Sequence, residues 1–106
     1  MSSYTVAENL TWAGWYFCAS HFDAVRQETH GHSYEVMVGW PALPARDAVI
    51  LQQKLKVVLS SFDHKMLPVE LTRAESIARA IISLLGDCAV VEVSRPVERL
   101  KVTVWA

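Results

Sequence analysis

Trp12-Ala13-Gly14-Trp15-Tyr16-Phe17-Cys18-Ala19-Ser20-His21-Phe22 decides the fold, taken with the stretch His30-Gly31-His32-Ser33-Tyr34-Glu35-Val36-Met37-Val38-Gly39-Trp40 that follows it. In the first, Ala13, Trp15, Phe17, Ala19 and His21 recur with period two, so on a β-strand they face one way. In the second, Tyr34, Val36, Val38 and Trp40 share a side with His30 and His32. The link DAVRQET is short and polar. Two neighbouring strands therefore bring three of the chain's four histidines together, at one end of an apolar face.

Beyond Trp40 the pattern changes. Pro41, Pro44 and the pair Arg46-Asp47 break the strand, and Asp47 is a natural N-cap. Leu51, Leu55, Val58, Leu59 and Phe62 then recur at helical spacing, with Gln52, Gln53 and Lys54 or Lys56 falling away from that face, until Asp63-His64. Thr72-Arg73-Ala74-Glu75 has the form of a capping box, and it predicts a second helix carrying Ile77, Ile81, Leu84 and Leu85 inward as far as Gly86. Ala89 to Arg95 and Arg99 to Trp105 alternate as strands, and the link Pro96-Val97-Glu98 makes them an antiparallel hairpin.

The order ββααββ predicts an α+β fold, an antiparallel four-stranded sheet with two helices on one face, built as one domain over residues 1–106. Trp12, Tyr16, Cys18 and Phe22 fall on the opposite face of the first strand, and association with further copies is expected to cover them.

Composition narrows the function classes. The chain is 52% apolar and 20% charged with a formal net charge of -1, which gives nucleic acid and anionic membranes no electrostatic hold. Its longest apolar stretch, TWAGWYFCASHF, stops well short of the roughly 18 to 20 residues a spanning helix needs. Cys18 and Cys88 are far apart and form no CxxC pair, and MSSYTVAENL lacks the basic-then-apolar pattern of a leader, so the expectation is a cytoplasmic protein with free thiols.

The histidines carry the chemistry. His21 with the alternating pair His30 and His32 offers imidazoles from adjacent strands, a donor set that suits zinc. Three neutral imidazoles leave the fourth tetrahedral position open for water or a substrate oxygen, the arrangement of a catalytic site. An HxH pair by itself also occurs on ordinary surface strands. Asp63-His64 lies at a helix end, where the carboxylate and the helix terminus both favour an oriented imidazolium. It reads either as a proton relay or as helix capping with a solvated aspartate.

Phe17-Cys18-Ala19-Ser20-His21, His30-Gly31-His32-Ser33-Tyr34, Phe62-Asp63-His64-Lys65-Met66-Leu67 and Leu71-Thr72-Arg73-Ala74-Glu75-Ser76-Ile77-Ala78 resemble, in order, the successive motifs of the 6-pyruvoyl- and 6-carboxy-tetrahydropterin synthase family. The resemblance implies the T-fold, with subunits joined through their sheets into barrels, commonly trimers that stack as hexamers, and active sites at the interfaces. It implies Zn2+ held by His21, His30 and His32. It also implies a pterin substrate of the type of dihydroneopterin triphosphate, with Asp63 and His64 matching the family's proton-moving dyad.

Two positions depart from the family pattern. Its cysteine base lies four residues before the HGH block, where Arg26 stands here, and Glu28 is the nearest group able to serve as base. Cys18 points away from His21 on a strand, so burial in the sheet is expected of it, and Cys88 is expected to be structural. The family's pterin-gripping glutamate follows a Val-x-Val-x pattern, whereas Val91-Glu92-Val93-Ser94 leads here to Arg95. Arginine offers only donors, so Arg95 is suited to a carboxylate or phosphate. Glu92 faces the other side, and Glu98 is expected to approach only through a bulge. The resulting expectation is a zinc-dependent lyase-like enzyme for a pterin-like or anionic small molecule. Its alternative is a non-catalytic zinc-containing T-fold binding protein that has lost the cysteine and glutamate.

Overall fold

In the computed structural model residues 9–106 are described, so most of the N-terminal stretch read above for a leader lies outside them. The long alternating stretches form β1 (Leu10–Asp23) and β2 (Glu28–Pro41), followed by α1 (Ala48–Leu59). Next come β3 (Lys65–Met66), a single 3-10 turn (Val69–Leu71), α2 (Ala74–Leu85), β4 (Val90–Arg95) and β5 (Leu100–Trp105). The sheet has five strands in the order β3-β1-β2-β4-β5 rather than four. The added β3 runs parallel to β1, pairing Lys65 with Ala19 and Met66 with Ser20. Two residues are too few to show period-two alternation, which is why the sequence does not reveal it.

Register fixes which side chains meet. β1 and β2 pair antiparallel with His21 opposite His30 and Ala19 opposite His32. Odd positions of β1 therefore share a face with even positions of β2, and through Val36↔Val93 with odd positions of β4. That face is the core: Ala13, Phe17 and Ala19 meet Tyr34, Val36, Val38 and Trp40, with Leu51, Leu55 and Leu59 of α1 and Ile77, Ala78 and Ile81 of α2 covering them. Phe17 stacks on Tyr34 at 4.8 Å between ring centroids.

Asp47 caps α1 by accepting the Val49 N–H at 2.9 Å, as its position predicts. The polar flank of that helix is not idle. Gln52 Nε2 donates to the Gly14 carbonyl at 2.9 Å, Lys56 Nζ lies 4.0 Å over the Trp15 ring, and Lys54 reaches Asp87. α2 begins one residue later than the capping-box reading, with Arg73 at the N-cap and no side-chain cap. Thr72 instead donates its hydroxyl to the Val69 carbonyl at 3.1 Å, because the 3-10 turn places that acceptor first. Gly86 ends the helix at φ 82°, a conformation that favours glycine.

The second face of the sheet is bare. Trp12, Tyr16, Phe22, Met37 and Met66 are exposed on it. Cys18 is exposed with them rather than buried, since no layer of the described residues covers that side, while Cys88 is buried. No helix among the described residues is long and apolar enough to cross a membrane.

Candidate functional site

The site grows from the turn end of the β1–β2 hairpin. Asp23 shapes the turn: its Oδ1 accepts the N–H groups of Val25 at 2.9 Å and Arg26 at 3.2 Å, and Gln27 takes φ 55° to return the chain. These hydrogen bonds, that of Arg26 foremost, hold the Asp23 carboxyl below its usual range against a partial loss of solvation. Its Oδ2 lies 3.2 Å from His30 Nε2 and 3.5 Å from Arg26 Nη1.

The three predicted histidines do converge. Their ring centroids are 5.0 Å (His21 to His32), 6.0 Å (His21 to His30) and 6.2 Å (His30 to His32) apart. His21 Nε2 faces His32 Nε2 at 3.0 Å. Burial pushes the His32 imidazole below its usual range, the Arg95 guanidinium adds to this, and Glu98 opposes it. A neutral His32 leaves a nitrogen lone pair available near pH 7.

Whether these residues fit a metal is tested by their nitrogens. In a zinc tetrahedron with Zn–N of about 2.0 to 2.1 Å, ligand nitrogens stand roughly 3.3 Å apart. The 3.0 Å pair of His21 and His32 is close to that spacing. His21 Nδ1 and His30 Nε2 are buried without a hydrogen-bond partner, a state that native interiors rarely leave uncompensated. His30 Nε2 lies within 3.2 Å of Asp23 and 3.3 Å of Glu28, but neither contact is aligned as a hydrogen bond. Its ring stands farther from the other two. Accordingly, no group of three His, Cys, Asp or Glu side chains among the described residues is closed enough to hold an ion as it stands. The donor set fits zinc in type and in the spacing of the His21 and His32 nitrogens, with the His30 ring the one set apart.

Two clefts flank this cluster, and His32 lines both. The first, of about 180 Å³, brings His21, His30 and His32 together with Asp23, Arg26 and Arg95. The second, of about 420 Å³, lies over Gly31 and includes Cys18, Ser33, His64 and Lys65. His64 thus lines the second cleft, not the first, with Asp63 beside it. Their contact is the predicted one: Asp63 Oδ2 lies 2.9 Å from His64 Nδ1, with His64 at φ 57° and its side chain 82% exposed. A hydrogen bond from the Cys18 N–H, with further help from His64, holds the Asp63 carboxyl below its usual range.

The sequence matches no protein-family model and no curated protein sequence. Solved structures do match. The 6-pyruvoyl tetrahydropterin synthase of Caenorhabditis elegans superposes with a TM-score of 0.71 at 15% identity, over 98% of this chain and 99% of that one. The Plasmodium falciparum 6-pyruvoyl tetrahydropterin synthase gives 0.60 at 18% identity, over 92% and 99%. The chain has their T-fold.

Within this T-fold, two site residues escape sequence reasoning. Asp23 falls in the polar link DAVRQET, yet its carboxylate touches His30; the Asx-turn signal of an aspartate closing a hairpin is the one cue to its orientation. Strand parity allows Glu98 near the site only through a bulge. The β4–β5 register is instead unbroken from Val90↔Trp105 to Arg95↔Leu100, and the turn brings Glu98 back with Arg99 at φ 59°. Glu98 Oε1 accepts from Arg95 Nε at 2.9 Å and lies 4.0 Å from His32 Nδ1.

Proposed function

We propose that this T-fold protein is a zinc-dependent lyase-like enzyme acting on a small anionic molecule with a hydroxylated side chain, a pterin such as dihydroneopterin triphosphate. The observation that carries the reading is the convergence of His21, His30 and His32 from paired strands, with the buried Nε2 of His30 lacking a hydrogen-bond partner. These three side chains would hold the metal, which when bound polarises a substrate oxygen and makes neighbouring carbon-bound protons more acidic.

The chain's own residues supply the rest. Arg26 and Arg95 line the histidine cleft, and their guanidinium groups hold the substrate's anionic group. Glu28, its carboxylate 3.3 Å from His30 Nε2 and half exposed, takes up a proton where Arg26 cannot. Asp63 orients His64 through Nδ1, leaving Nε2 to exchange a proton at the second cleft. The bare apolar face of the sheet supports assembly with further copies as a trimer or hexamer, and free Cys18 and Cys88 support a cytoplasmic setting.

Metal analysis of untagged protein is the first test. A zinc content near one per chain that falls on His30→Ala supports the site, and none in either protein removes it. Incubation with dihydroneopterin triphosphate, followed by mass spectrometry for lost triphosphate, tests turnover. Loss that stops in both Glu28→Gln and His64→Ala supports the roles given; undiminished turnover in both defeats them. Zinc without turnover selects the binding-protein alternative.

A further inference from the structure

Glu98 stands between two groups that the zinc reading uses. One of its oxygens, Oε1, accepts the Arg95 Nε–H at 2.9 Å and lies 4.0 Å from His32 Nδ1. His32 presents its other nitrogen, Nε2, to His21 at 3.0 Å. If Nε2 is the nitrogen on the metal side, the neutral ring carries its hydrogen on Nδ1, and that N–H points out of the cluster. The His32 side chain is 11% exposed, and its Nδ1 makes no hydrogen bond among the described residues. Among the described residues no other carboxylate lies within 4.0 Å of Nδ1. The Glu98 side chain is 36% exposed on a turn, about an ångström beyond hydrogen-bond distance of that nitrogen.

We propose that Glu98 is a positioning residue of the metal site: from the β4–β5 turn it accepts the outer N–H of His32, fixing Nε2 as the ligating nitrogen, while it neutralises Arg95 beside the cluster. Metal-bound histidines commonly give their second N–H to a carboxylate, which orients the ring and makes it a stronger ligand. Arg95 needs such a counter-charge as well, since it lines the same cleft as the three imidazoles and an uncompensated guanidinium there opposes a cation. One carboxylate serves both needs because Arg95 and Glu98 are three residues apart across a single turn. The inference rests on the zinc reading and goes beyond it by naming what orients His32.

The test is zinc affinity of metal-free protein, measured by competition with a chromophoric chelator, for the unaltered chain and for Glu98→Gln, Arg95→Gln and the double variant. Glu98→Gln is expected to weaken zinc binding about 10- to 100-fold. The melting temperature of the metal-free protein should not move, because the exposed turn carries no core contact. Loss of affinity that persists when Arg95 is also changed supports direct action on His32. If that loss vanishes in the Arg95→Gln background, or if Glu98→Gln binds zinc within twofold of the unaltered protein, the proposal is overturned while the zinc site stands. Absence of zinc binding in the unaltered protein overturns both.

Discussion

Asp63 accepts the backbone N–H of Cys18 on its Oδ1 at 2.9 Å, standing in for a strand partner on the outer edge of β1. The neighbouring backbone completes the motif, with the His64 N–H donating to the Cys18 carbonyl at 2.6 Å and the Leu67 N–H to the Ser20 carbonyl at 2.7 Å. The edge of β1 thereby sets the angle at which Asp63 presents Oδ2 to His64. Asp63→Asn keeps an acceptor for Cys18 but removes the negative charge that faces His64 Nδ1. Its expected effect is a kcat lowered by about 10² with little change in KM, since positioned proton transfer is worth about 10² to 10⁴. Steady-state kinetics of this variant beside His64→Ala checks it, and an unchanged kcat in Asp63→Asn counts against the dyad.

Zinc should stabilise the chain in proportion to its occupancy. A ligand bound only to the folded state adds about 4 kcal/mol at a thousandfold excess over its Kd. Differential scanning fluorimetry of metal-free protein should therefore show a rise in melting temperature on adding zinc that a chelator reverses. His21→Ala should abolish most of the rise, because it removes the nitrogen that faces His32 at 3.0 Å. An equal rise in the variant would place the zinc elsewhere.

The fold was largely legible because period-two and helical alternation record burial directly. Val36, Val38 and Trp40, and likewise Leu51, Leu55 and Leu59, are buried as their spacing predicts. The histidine cluster was legible for the same reason, since strand parity alone places His21 beside His30. What escaped depends on turns and edges. β3 has no pattern to read, Thr72 found a nearer acceptor in the 3-10 turn, and Asp23 and Glu98 sit at turns that contain the positive-φ residues Gln27 and Arg99. Parity put Cys18 on the correct face, but it could not tell that the described residues leave the face bare.

That bare face makes a prediction about assembly. Tyr16 is 58% exposed and Phe22 48%, on the same side as Cys18. Burying one such aromatic side chain is worth roughly 1.5 to 3 kcal/mol. Tyr16→Glu should shift the protein toward the monomer in sedimentation velocity. Cys18 should then react faster with a thiol reagent than in the unaltered assembly, as read by intact-mass spectrometry, while buried Cys88 stays slow in both. Identical sedimentation of the two proteins would mean that this face is not the interface.

Acid sensitivity should come in part from the far end of the sheet. Burial works against ionisation of Asp87, but hydrogen bonds from Arg46 at 2.8 Å, Trp40 Nε1 at 2.9 Å and Lys54 at 3.2 Å outweigh it and hold the carboxyl at about 2 instead of 3.8. A carboxyl depressed in the folded state contributes stability that is fully present above its unfolded value and is lost as pH falls toward the folded one, here between about pH 4 and pH 2. With the side chain 39% exposed, solvent screening reduces the contribution to roughly 1 kcal/mol. Asp87→Asn keeps an acceptor for the indole of fully buried Trp40, so it isolates the charge. Urea unfolding should show the variant less stable by about that amount at pH 7, with the difference closing as pH approaches 2. A difference that stays constant across that range would assign the effect to packing around Trp40 instead of to the ionised carboxylate.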